Sequence, residues 1–207
     1  KNVAGARAAF EEAARIRPKE PLPQIYIGMT YLLSNDLPGA ERSYEKALAL
    51  DGSVVSAQLG VATIRHLQGR KEEAIQSYER LAQSQPTLGP ALNNLAYLYA
   101  ETGQNLERAQ ELAEQAVTVA PGSGSLRDTL GWVLFQRGRP TEAIAHLQQA
   151  ARLAPNNPTI QFHLGKALHS QGKTNPARTA LEKALQGNLG GKDREEAESL
   201  LRSTPRT

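Results

Sequence analysis

Residues 125–155 read SLRDTLGWVLFQRGRPTEAIAHLQQAARLAP. Leu126, Leu130, Val133 and Leu134 recur at helical spacing, and Gly138 closes that segment. After it, Ala143, Ile144, Leu147, Ala150, Ala151 and Leu153 form a second apolar stripe. Pro140 suits the start of a helix, and Pro155 cannot continue one. The stretch therefore predicts two helices joined by a short turn. Trp132, the chain's single tryptophan, lies in the first of them.

The same pair of helices recurs along the chain. Alanines stand at Ala6, Ala40, Ala74, Ala109, Ala143 and Ala177, at steps of 34, 34, 35, 34 and 34. A ladder of small residues follows the same period at Gly28, Ala62, Ala96, Gly131 and Gly165. Larger residues, Phe10, Tyr44, Tyr78, Leu147 and Leu181, follow the alanines four positions later, with Ala113 at the remaining site. Two antiparallel helices approach closely only where side chains are small, and larger ones then fill the gap to the next unit. No unit buries its apolar face alone, so the stack is the core. The one irregular step places an extra residue between Ala96 and Ala109, assigned to the turn TGQNLE.

The period divides the chain into five full repeats, 21–54, 55–88, 89–123, 124–157 and 158–191. Residues 1–20 read as the second helix of a further repeat, and 192–207 as a charged capping helix and a frayed tail ending in TPRT. The whole of 1–207 is expected to form a single array. The opening, KNVAGARAAF, lacks an initiator Met and reads as the start of an excised piece that continues N-terminally.

Composition narrows the chemistry. The chain is 40% hydrophobic but only 5% aromatic, and the excess is Ala and Leu, which favour helix. No cysteine is present, which excludes disulfides, thiolate metal sites and Cys nucleophiles, and suits either periplasm or cytoplasm. No run of about 18 apolar residues offers a membrane span. The four histidines, His66, His146, His163 and His169, show no i, i+4 pair, so no metal site is expected. GNLGGKD, residues 187–193, lacks phosphate-loop spacing and reads as a turn. No Ser, His and acid set has a nucleophile's context, so neither catalysis nor a cofactor is expected. Net charge is only +3, and basic and aromatic residues do not share one strip, which argues against nucleic acid. Charge is uneven, with the Lys/Arg excess in 124–191 and the acid excess in 89–123, and most of these charges fall on turns and outer faces.

The 34-residue spacing, together with the Leu-Gly…Gly…Ala…Ala…Pro pattern, resembles the tetratricopeptide repeat family over nearly the whole chain. The resemblance implies an all-α fold, a right-handed superhelical α-solenoid of helix-turn-helix repeats with about 12 helices. It also implies that the first helices line a concave groove. Trp132 is two residues, about 200°, from both Leu130 and Leu134, and so points away from the core stripe. Carried along the repeats, the groove positions select Asn93, Tyr97, Asp128, Trp132, Phe135, Phe162, Lys166 and His169. A secondary apolar patch comprises Ile25, Met29, Leu32 and Leu59. This groove is expected to be apolar at its N-terminal end, aromatic in the middle and basic towards the C-terminal end. Aromatic anchors beside a few directed polar groups suit a bound peptide.

Family members that hold the acidic tails of heat-shock chaperones use a clamp of Lys, Asn and Arg. Here the nearest matches are Asn93, Asn94 and Lys166, and the basic set is absent. The stretch 91–158 is similar to bacterial cell-envelope members, notably repeat lipoproteins of exosortase (PEP-CTERM) and exopolysaccharide systems. These resemblances imply a non-catalytic protein-interaction scaffold, periplasmic or outer-membrane-associated, whose partner is a protein or peptide. The alternatives are an accessory module of a larger enzyme or secretion porin, a self-associating array built through the N-terminal edge, and a cytoplasmic location.

Overall fold

The structure, a computed structural model, describes residues 2–203; the TPRT tail lies outside the described residues. These fold into twelve helices and no strand. The helices are α1 (Val3–Ile16), α2 (Pro21–Leu33), α3 (Leu37–Leu50), α4 (Val55–Leu67), α5 (Lys71–Ser84) and α6 (Gly89–Thr102). They continue as α7 (Leu106–Val119), α8 (Gly124–Gln136), α9 (Pro140–Leu153), α10 (Pro158–Ser170), α11 (Thr174–Gln186) and α12 (Gly191–Ser203). The fold class is all-α, an α-solenoid of helix-turn-helix repeats. The chain divides into two compact units, α1–α5 up to Pro86 and α6–α12 from Thr87. The step from Ala62 to Ala96, which spans Pro86, is the ordinary 34.

Local sequence sets the ends of the helices. Asp36 accepts a hydrogen bond from the Gly39 amide at 2.8 Å, and Asn157 accepts one from Thr159 at 3.0 Å, each capping a helix start. The turns between paired helices place Gly69, Gly138 and Gly172 at φ between 65° and 76°, which glycine adopts without penalty. The extra residue of the third repeat enters the helix rather than the turn. α6 has 14 residues, where α2, α4, α8 and α10 have 13, and the turn that follows still spans 103–105.

The small ladder residues sit where second helices press on first helices. A Cβ added to Gly131 would stand 2.6 Å from Leu147 Cγ, and one added to Gly165 would stand 2.7 Å from Leu181 Cγ. The Tyr44 ring lies against both Gly28 and Gly60, at 3.1 and 2.7 Å from the built Cβ positions, so one side chain joins two successive first helices.

At the C-terminal end, Ala197 of α12 joins a core of Phe162, Leu181, Ala184 and Leu189, with Leu200 and Leu201 packed against it. Its opposite face, Lys192, Glu195, Ser199 and Arg202, is exposed and polar, as a solenoid cap requires. Leu189, at the slot where other repeats carry Pro, is buried and anchors the connection to α12. At the N-terminal end, α1 contains no buried residue. Leu22, Tyr26, Met29 and Leu33 of α2 are exposed large side chains at i, i+4, i+7 and i+11.

Gly131→Val is expected to destabilise the chain by about 1–3 kcal/mol through overpacking against Leu147. Gly122→Ala, with nothing within 4 Å of the added carbon, should be near neutral. Urea melts followed by circular dichroism test both; equal midpoints for the two variants would refute the close-approach account.

Candidate functional site

The second unit holds all eight predicted groove residues. Its first helices α6, α8 and α10 pack side by side, and α12 continues the row. On α8, Asp128 and Trp132 are one turn apart and share a face. From α10, His163 reaches back to them. Its Nδ1 lies 3.0 Å from both carboxylate oxygens of Asp128, and its ring stacks on Trp132 with centroids 4.3 Å apart and planes at 16°. The carboxylate only accepts, so Nδ1 donates that bond. Phe135 stacks on Trp132 at 5.6 Å, and Lys166 Nζ stands 5.2 Å from the Trp132 ring and 5.8 Å from Phe162.

These contacts bury much of the predicted set. Phe162 is 1% exposed, Asp128 7%, Trp132 8% and His163 2%. Phe162 belongs to the C-terminal core, and Trp132 is covered by His163, Phe135 and Lys166. The accessible part of the set is Asn93, Tyr97, Phe135, Lys166 and His169, all half-buried. Of the secondary patch, Ile25 is core and Leu32 packs on that core, Leu59 is half-buried, and Met29 is exposed.

The expected basic character at the C-terminal end is offset by α12. Lys166 Nζ pairs with Glu196 at 2.7 Å, and His169 Nε2 lies 3.3 Å from the Ser203 hydroxyl. The sequence reading took α12 only as a cap. Extending the 34-residue period one step beyond Phe162 reaches Glu196, and beyond Thr159 reaches Asp193. That is the signal that would have put both acids on this side. His163 was also missed, because it follows the groove slot of Phe162 by one residue.

Two polar atoms stand out. The indole Nε1 of Trp132 and the Oδ1 of Asn93 are buried and have no hydrogen-bond partner, although Asn93 Nδ2 donates to Asn94 Oδ1 at 3.4 Å. Leaving such a group unmet costs about 1–3 kcal/mol. The phenol of Tyr97 is pushed up to about 12, first by burial and then by the carboxylates of Glu101, Asp193 and Asp128. Among the described residues, no group of three or more His, Asp or Glu side chains is placed to hold a metal ion.

The arrangement offers a stack of rings, a buried His–Asp pair, an unmet donor and acceptor, and carboxylates on α6, α8 and α12. Family models for the tetratricopeptide repeat match residues 27–88 and 89–123, and a TPR repeat model matches 131–172. The cellulose synthase operon protein C of Xanthomonas axonopodis pv. citri is 32% identical over 149 residues, covering 69% of this chain and 10% of that protein. The type IV pilus assembly protein PilF of Pseudomonas aeruginosa is 26% identical, covering 86% of this chain and 69% of its own. Among solved structures, a thermophilic TPR protein of Thermus thermophilus superposes with a TM-score of 0.72 at 21% identity, covering 88% of this chain and 99% of that one. The chain thus spans about a tenth of the first of these relatives and about two thirds of the second.

Asp128→Ala should cost about 1–3 kcal/mol, because it leaves the buried Nδ1 of His163 without its acceptor. In a double-mutant cycle with His163→Ala the coupling should reach about 1–3 kcal/mol; additive losses in denaturant melts would show that the pair is not an energetic unit. In an ultraviolet titration of the phenols, a late step near 12 should vanish in Tyr97→Phe, and its survival at full amplitude would reassign the shift.

Proposed function

The chain belongs to the tetratricopeptide repeat family, and from that membership we propose that it is a non-catalytic scaffold holding a peptide or partner helix on the first-helix face of its second unit. The observation that carries this reading is the convergence of Tyr97, Asp128, Trp132, Phe135 and Lys166 from three adjacent first helices. Half-exposed rings around a buried aromatic centre supply anchoring area, and the unmet indole and amide groups supply direction.

The setting we propose is a bacterial envelope assembly, such as exopolysaccharide or protein export, with the chain periplasmic or outer-membrane-associated. Similarity to a cellulose synthase operon protein and to a pilus assembly protein supports it. A cytoplasmic location is the alternative. Because the matched stretch is 10% of the first of these relatives, the chain also fits an accessory repeat module of a larger enzyme or secretion porin. A self-associating array is favoured by one specific observation, the exposed stripe Leu22, Tyr26, Met29 and Leu33 on α2.

Trp132→Ala would open a cavity and cost about 3–5 kcal/mol, so Tyr97→Ala and Phe135→Ala are the informative pair. Each should weaken capture of a partner from an envelope extract by about tenfold while leaving the melting temperature within a few degrees. Unchanged capture by the doubly substituted chain would refute the groove assignment.

A further inference from the structure

His163 uses one ring nitrogen and leaves the other idle. Nδ1 donates to the Asp128 carboxylate, 3.0 Å from each oxygen, whereas Nε2 makes no hydrogen bond among the described residues. Although the ring is 2% exposed, Nε2 is not one of the enclosed polar atoms. The small part of His163 that solvent reaches therefore includes that nitrogen. Because Asp128 keeps a hydrogen on Nδ1, the neutral imidazole presents only a lone pair at Nε2.

The indole stacked on that ring has the opposite need. Trp132 Nε1 is a donor, enclosed and without an acceptor, on a ring 4.3 Å from the imidazole, centroid to centroid. One acceptor and one donor thus stand on adjacent rings, and neither is answered among the described residues. Their cover is lightly held. Lys166, 5.2 Å from the indole, is tied by an ion pair to Glu196, and both of those side chains are partly exposed. Such pairs are weak, so Lys166 yields to an entering group. The bond to Asp128 keeps the imidazole in place.

We propose, resting on the groove reading above, that this point takes the side-chain carboxamide of a glutamine or asparagine from the partner. A carboxamide carries an N–H for His163 Nε2 and a C=O for Trp132 Nε1. A carboxylate has no hydrogen to give to Nε2, and an ammonium has no acceptor for the indole. An apolar side chain leaves both atoms unmet, the case that a hydrogen-bonding site rejects most strongly. The partner's main chain is held away from so narrow an opening by its own side chains, whereas a glutamine enters end-on.

The test uses the whole chain and three synthetic peptides with acetyl and methylamide caps, one Ala–Leu framework bearing Gln, Glu or Met at its centre. Calorimetry and the emission of Trp132, the only tryptophan, follow binding at physiological salt. The Gln peptide should bind about tenfold more tightly than the Met and Glu peptides. Nitrogen-15 shifts of His163 should show Nε2 without a hydrogen and should move only with the Gln peptide. Asp128→Asn no longer fixes the hydrogen on Nδ1, so it should remove most of the Gln preference. An equal loss for all three peptides would make Asp128 a packing residue and overturn the carboxamide assignment. Equal binding of the three peptides to the unsubstituted chain, or tighter binding of the Glu peptide, also overturns it and leaves the groove reading standing. If none of the three binds, the assignment is overturned as well, while the groove reading is decided by capture with the Tyr97→Ala and Phe135→Ala chains.

Discussion

The closeness of paired helices is the constraint on which the rest depends. Gly131 under Leu147, Gly165 under Leu181, and Tyr44 wedged between Gly28 and Gly60 leave no room for a further methyl group. At that separation Tyr44, Leu147 and Leu181 of the second helices supply the large side chains, and glycines of the first helices supply the hollows. The first helix therefore commits one face to its partner and another to the neighbouring first helix. What remains is the face that carries Tyr97, Trp132 and Lys166.

The crowding of that face follows from the same geometry. α8 and α10 stand near enough for His163 to span them, touching Asp128 with one nitrogen and Trp132 with its ring. A buried hydrogen-bonded pair of this kind contributes only modestly to stability by itself. It fixes two residues of α8 against one of α10, and so fixes the position of the indole. The indole N–H is then left buried without an acceptor.

Much of the fold was legible in the sequence because its signals are periodic. Ladders at Ala40, Ala74 and Ala109, and at Gly131 and Gly165, place helix pairs without reference to any distant residue. The direction of Trp132 away from the Leu130 stripe was legible for the same reason. Its burial was not, since the residues that cover it, His163 and Lys166, lie on another helix and are not fixed by the helical pitch of α8. The charge of the face was misread for a related cause. Lys166 counted as an open cation until α12 brought Glu196 against it.

The exposed faces of α2 and α12 differ in chemistry. α12 turns Lys192, Glu195, Ser199 and Arg202 outward, while α2 leaves Leu22, Tyr26, Met29 and Leu33 uncovered. Burying the α2 side chains against any surface would be driven by release of water from apolar area, so structure-making salts would strengthen such a contact. Contacts made through the charged face of α12 would instead weaken as salt is raised.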